Sequence, residues 1–291
     1  MTNSVHTNAS ALIALQNLNA TNKNLASTQS RVNTGLKVQG AKDNAAVWAV
    51  AQNQRSDMKA LDSVKNSLNR ATSLADVSLA AGEQISDLLT QLQEKATAAA
   101  DPSATEATRK AYNDEFQALL ASITSFAANA TFDGENILNG TPATPLNFLA
   151  NASATETITM NRQDLTLAGL GLNALVSTPA DPAATPPTAA SGGLLSEADA
   201  TTALAAVKTA LATANARLSE LGAQSKQIEN HNIFVGKLMD SLEGGIGNLV
   251  DADLARESAR LQALQVQQQL GAQALSIANQ SPQILLSLFR S

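Results

Sequence analysis

Residues equipped for acid–base, nucleophilic or metal chemistry are few in this chain, and they do not converge. Cysteine is absent, which excludes disulfides, thiolate nucleophiles and thiolate metal sites. The two histidines, His6 and His231, lie far apart in sequence, and neither sits in a His-Glu-x-x-His pattern. Both read as surface or capping residues. Asp251 and Asp253 read as carboxylates placed at a helix N-terminus, where the dipole favours them. No Ser–His–Asp constellation is visible. The expectation is a protein that is not an enzyme and carries no metal or cofactor.

The remaining chemistry is association. From Gln262 to Phe289 there is no Asp, Glu, Lys or Arg, and Met1 to Asn22 carries only His6. Both stretches nevertheless have helical periodicity and are dotted with Gln and Asn. Such helices nucleate poorly alone, because their apolar stripes need a partner. A chain with one at each end is built to be completed by contact with itself or with copies of itself.

Composition agrees with long packed helices. Aromatics are 3% of the 291 residues, so the apolar content rests on Ala and Leu. The net charge of −6 is carried by the middle, since residues 1–40 contribute +3 and residues 251–291 balance to zero, leaving −9 between them. No basic footprint for nucleic acid is present. No apolar run reaches the roughly 18 residues that would suggest a membrane span. The first residues lack the basic and apolar regions of a cleaved secretory signal, so a secreted destination requires another route.

Ala11, Leu15, Leu18, Asn22, Leu25, Gln29 and Val32 step by four and three, a coiled-coil seam with polar inserts that fix register. Asn33-Thr34-Gly35 should end or bend that helix. A second helix follows Asn44, with Leu61, Val64, Leu68, Ala71, Leu74, Val77, Ala81, Ile85, Leu88 and Leu92 on one face, and Asp101-Pro102 stops it. Ser103-Ala104-Thr105-Glu106 has the form of a capping box. The helix behind it presents Tyr112, Phe116, Leu119, Ile123 and Phe126, and Trp48 should be a buried packing residue of the rod.

Phe132-Asp133-Gly134 and Asn139-Gly140 are turn signals, with short strands expected at Glu156–Met160 and Leu165–Leu167. Thr178–Gly193 reads as an irregular surface loop. Helical order resumes after Ser196, which Asp199 follows in a box-like start. The seam Leu204, Val207, Leu211, Ala214, Leu218, Leu221, Ser225, Ile228, Asn232, Val235, Met239 and Leu242 implies a helix about 65 Å long at about 1.5 Å per residue. Glu243-Gly244-Gly245-Ile246-Gly247 reads as a hinge, and Pro282 as a kink or end in the final helix, which starts near Asp253. That helix has two apolar flanks: Leu261, Leu264 and Leu275 on one, Val266, Leu270 and Ile277 on the other.

The fold expected is mainly α, a long antiparallel helical bundle or coiled coil with discontinuous, nested domains formed by both chain ends. A small β-hairpin and loop insertion sits at the tip. Residues 1–42 with 250–291 form an inner terminal-helix domain, 43–140 with 195–249 a helical rod, and 141–194 a short insertion.

At its two ends the sequence resembles bacterial flagellin. The carriers are Asn33-Thr34-Gly35-Leu36-Lys37-Val38-Gln39-Gly40-Ala41-Lys42-Asp43-Asn44-Ala45-Ala46 and Asp251-Ala252-Asp253-Leu254-Ala255-Arg256-Glu257-Ser258. Leu264-Gln265-Val266-Gln267-Gln268-Gln269-Leu270, Ala274-Leu275-Ser276-Ile277-Ala278-Asn279-Gln280 and Leu285-Leu286-Ser287-Leu288-Phe289-Arg290 continue the likeness. Length and the stretch Leu88–Lys95 look most like short alphaproteobacterial flagellins.

The resemblance implies a structural subunit that polymerises through its terminal helices into the flagellar filament used for swimming. The alternative is a hook–filament junction (hook-associated) protein with similar ends. It also implies terminal helices that order on assembly, and a secreted, extracellular filament with a Gln- and Asn-lined bore. The implied partners are further copies of the chain, the type III export apparatus and its chaperone, and hook-associated and cap proteins. The assembly residues implied are Leu15, Leu18, Leu25, Val32, Leu261, Leu264, Leu270, Leu275, Ile277, Leu285 and Leu288. Leu15, Leu18, Leu25 and Val32 should pack on Leu264, Leu275 and Ile277, while neighbouring copies cover the second flank. Members of the family are bound by an innate immune receptor through an Arg-bearing stretch. The matching Ser86–Gln91 lacks those arginines, which implies weak recognition.

Overall fold

Capping side chains set where the helices begin and end. The computed structural model describes residues 8–178 and 192–288. Helix α1 (Ala9–Thr34) starts where the Asn8 side chain accepts from the Ala11 amide, and ends at Gly35, whose φ of 72° lets its N–H reach back to Arg31 O. Helix α2 (Ala45–Ala99) opens on Asn44, which accepts from Val47 N at 3.1 Å. At its far end Arg109 donates to the carbonyls of Ala99 and Asp101. Helix α3 (Glu106–Asn129) is capped by Thr105, not Ser103: Thr105 accepts from Thr108 N, while Ser103 turns back to donate to Asp101.

Helix α4 (Glu197–Val250) begins at the expected Ser196–Asp199 box. It then runs 54 residues, about 80 Å, without the expected hinge at Glu243–Gly247. A helix-interior glycine costs about 1 kcal/mol against alanine. Packing of Ile246 and Val250 offsets that cost here. Helix α5 (Leu254–Leu288) starts on Asp253, which accepts from the amides of Ala255 and Arg256. It continues through Pro282, so of the kink or end expected there the end does not occur.

The chain divides into two compact units, one built from its two ends up to Met58 and from Asp240, the other from Lys59–Met239. In the interior unit α2 and α4 are antiparallel, tied by Ser86 to Asn215 and by Asn232 to Asn69. The α2 seam is Leu61, Val64, Leu68, Ala71, Leu74, Ala75, Ser78, Gly82, Ile85, Leu89, Leu92, Ala96 and Ala99. Val77, expected there, is exposed, and Leu88 is half-buried. Small residues hold the middle of the seam because Leu218 reaches to where a Gly82 Cβ would sit. In α4, Ala203 and Ala210 likewise replace Leu204 and Leu211 as buried positions. In α3 the buried face is Asn113, Phe116, Leu120, Ile123 and Ala127, and Phe126 is exposed.

Beyond the Asp133-Gly134 turn, strands β1 (Leu146–Leu149) and β2 (Thr157–Met160) pair antiparallel, Phe148 opposite Ile158. Leu165–Leu167 is not a strand. Gln163 and Leu165 instead donate to Ile137 and Leu138 carbonyls, burying Leu165 in the unit core. The expected loop over Thr178–Gly193 lies almost entirely outside the described residues, as does His6.

Candidate assembly surface on the terminal helices

The terminal unit is held at one end by a short backbone buckle. Lys37 N donates to Val250 O at 2.8 Å and Ala252 N to Gly35 O at 2.8 Å, with Leu36 bridged to Asp251. Beneath it Val38, Ala51, Ile246 and Val250 form a small core with Leu36, Val47 and Trp48, which was expected to be buried in the rod and is instead half-buried in this terminal unit. The buckle sets where α1 and α5 start toward each other.

The two helices then run antiparallel in one register. Arg31 pairs with Glu257 at 3.4 Å, Gln268 donates to Asn22 at 2.8 Å, Gly271 approaches Leu18, and the Asn8 amide donates to Ala278 O at 2.7 Å. This register brings Leu25 level with Leu264, the best-buried leucines of the pair at 9% and 8% exposure. The α1 seam is Ala11, Ala14, Leu18, Thr21, Leu25, Thr28 and Val32, and the α5 seam Glu257, Leu261, Leu264, Gln268, Gly271, Leu275 and Ala278. Of the residues expected at the interface, Leu18, Leu25, Val32, Leu261, Leu264 and Leu275 thus lie in the pair.

Leu15 and Ile277, expected to pack within it, do not: they are 43% and 63% exposed. The seam takes Ala14, Thr21 and Thr28 where Leu15, Asn22 and Gln29 were expected, because small side chains let the helix backbones approach. Asn22 still fixes register from the seam's edge through Gln268. The side chains of Leu285 and Leu288 lie outside the described residues.

Outside the seam the pair is apolar and open. Leu12, Ile13, Leu15, Val266, Leu270 and Ile277 are exposed, Leu270 by 64%. A groove of about 800 Å³ runs beside Ile13, Leu18, Thr21, Leu270, Gly271 and Ala274. One oxygen of buried Glu257 has no hydrogen-bond partner among the described residues. Among those residues no helix is long and apolar enough to cross a membrane, and no group of His, Cys, Asp and Glu could hold a metal ion. The surface offers contact area and amide hydrogen bonds.

Residues 5–143 match the family of the bacterial flagellin N-terminal helical region, and residues 204–289 that of the bacterial flagellin C-terminal helical region. The chain belongs to the flagellin family. Flagellin FljM of Caulobacter vibrioides is 49% identical over 288 residues, covering 99% of both chains. A flagellin of Brucella melitensis is 41% identical over 296 residues, and flagellin C of Rhizobium meliloti 35% over 325, each over 99% of both chains. A crystal structure of Bacillus cereus flagellin overlaps 67% of this chain and 94% of its own, with a TM-score of 0.41 and 19% identity. The family membership makes this chain a structural subunit of the motility filament, self-polymerising and drawn from a family of structural proteins. The hook–filament junction alternative has no better support.

Proposed function

We propose that the flagellar filament grows by burying the open side of the α1–α5 pair between copies of this chain. In this reading Leu18, Leu25, Val32, Leu261, Leu264 and Leu275 hold each pair together, while Leu15, Leu270 and Ile277 face neighbouring copies. Leu285 and Leu288 extend the contact at the C-terminus. The observation that carries the reading is the apolar flank of α5, with Val266, Leu270 and Ile277 each more than half exposed at 55%, 64% and 63%. Apolar area removed from water contributes about 25 cal/mol per Å². Repeated at every subunit, that term favours a polymer over a lone chain.

In the same reading residues 1–42 with 250–291 act as the inner domain, 43–140 with 195–249 as the rod, and 141–194 as the insertion. The subunit leaves the cell unprocessed through the flagellar type III export apparatus, escorted by a chaperone. It then meets hook-associated and cap proteins in an extracellular filament. An intact mass of filament protein equal to the full chain supports export without cleavage; a shortened N-terminus refutes it.

The central test is elongation of purified protein on filament seeds. Leu270→Glu should leave the soluble chain folded and abolish elongation, as should removal of the last 20 or so residues. Normal elongation by either variant would overturn the assignment of this surface. Wild-type protein that caps seeds without lengthening them would favour a junction protein instead.

A further inference from the structure

We infer that Asn139–Gly140 is a self-modification site, at which Asp164 promotes loss of the Asn139 side-chain amide through a cyclic imide. The site lies wholly within the interior unit, and it does not depend on how copies of the chain meet. This is the only Asn-Gly pair in the sequence. It forms a half-buried turn after Leu138, with Gly140 at a φ of 68°.

Backbone bonds fix what faces that turn. Gln163 N donates to Ile137 O at 2.6 Å and Leu165 N to Leu138 O at 2.9 Å, which carries Asp164 beside Gly140. The Asp164 carboxyl fills the space that a Gly140 Cβ would take, with Oδ2 2.7 Å from that position. Glycine is therefore required there by space as well as by φ. Asp164 Oδ1 is occupied, accepting from the Thr166 amide at 3.1 Å and hydroxyl at 2.6 Å. Its Oδ2 has no hydrogen-bond partner among the described residues, and neither has the Gly140 amide or Asn139 Nδ2. Asn139 Oδ1 accepts from Thr141 N at 3.1 Å, which folds the side chain over the intervening residue.

These are the groups that imide formation uses. Asp164 Oδ2 takes the Gly140 amide proton as that nitrogen bonds to Asn139 Cγ and closes the ring. The Thr141 N–H steadies the negative charge that develops on Oδ1. The Cγ–Nδ2 bond then breaks, and ammonia leaves with the proton returned by Asp164. Water opens the imide at either carbonyl, leaving aspartate or isoaspartate at position 139. The sequence of steps consumes water and releases ammonia, and it needs no oxidant or cofactor. The product places a second carboxylate in the turn beside Asp164, where like charges oppose each other.

The test follows position 139 by peptide mapping of the full-length chain at neutral pH, folded in buffer and unfolded in urea. The folded wild type should convert several-fold faster, because only the fold brings Asp164 to the turn. Asp164→Asn keeps an Oδ1 acceptor for Thr166, so the melting midpoint should stay near wild type. That variant should convert roughly tenfold more slowly when folded, and at the wild-type rate when unfolded. A folded wild type that converts no faster than the unfolded chain overturns the proposal without recourse to any variant. So does a folded Asp164→Asn chain that converts as fast as wild type. Elongation on seeds bears on neither result, so the filament reading stands or falls separately.

Discussion

Two helix pairs in this molecule obey the same alternation of three and four residues, yet only one of them is closed. In the interior unit Leu68, Ile85, Leu89 and Leu92 of α2 are all 0% exposed. In the terminal unit the best-buried seam leucines keep 9% and 8%, and Leu18, Val32, Leu261 and Leu275 are half-buried. The difference is a third layer. Phe116, Leu120 and Ile123 of α3, with Phe148, Met160 and Leu165 from the hairpin region, complete the interior core. Among the described residues helices α1 and α5 pack chiefly on each other, and a two-helix contact covers one stripe per helix. The same spacing thus marks a finished core in one place and an unfinished one in the other.

The sharpest way to break that comparison is to delete core volume from each side. Phe116→Ala should cost about 3–5 kcal/mol of soluble-chain stability, because a fully buried ring leaves a cavity. Leu264→Ala should instead leave the main denaturant transition near its wild-type midpoint and show itself in faster proteolysis of α1 and α5. Equal effects on the main transition would mean that the two units are equally complete, and the contrast would be lost.

A polar version comes next in size. Asn113, 5% exposed, accepts through Oδ1 from Leu194 N at 2.9 Å, Ser177 Oγ at 3.2 Å and Gln117 Nε2 at 3.4 Å. Asn113→Ala strands a buried amide and should cost about 1–3 kcal/mol. Its counterpart in the terminal unit, Asn22, meets Gln268 in water, so Asn22→Ala should change stability by less than about 0.5 kcal/mol. Urea titrations of both variants measure the gap, and a costly Asn22→Ala would show the terminal seam to be drier than it looks.

These residues also show how far the sequence could be read. Helix starts at Ser196 and Asp253, the stop at Gly35 and the Asp133-Gly134 turn were legible, because capping and turn chemistry is local. The two apolar flanks of α5 were legible as well, Val266 and Leu270 falling on the open one. The seams depart from the three–four pattern of larger residues by one position: Ala14, Thr21, Ser78 and Ala203 take the contact beside Leu15, Asn22, Val77 and Leu204. Close helix approach instead selects small residues at the contact, and shared three–four spacing among the small residues was the available signal. The strand partner Leu146–Leu149 and the unbroken α4 depended on tertiary contacts, which local pattern does not carry.

The smallest effect tests the exposed corner of the closed unit, where α2 gives way to α3. The Ser103 amide and then its hydroxyl donate to Asp101, each at 2.8 Å, and together they hold the Asp101 carboxyl below its ordinary range. A carboxyl depressed in the folded state contributes stability at neutral pH, and the contribution is lost as pH falls through the folded value. Ser103→Ala removes the hydroxyl and keeps the backbone amide. The Asp101 titration midpoint should therefore move up toward the ordinary carboxylate value of about 3.9 without reaching it. The stability difference between the two proteins should be present at neutral pH and vanish in acid. Carboxyl-detected NMR titration reads the first effect and thermal melts across pH the second. An Asp101 midpoint that does not move would mean the hydroxyl contributes nothing, leaving the corner to its backbone and to Arg109.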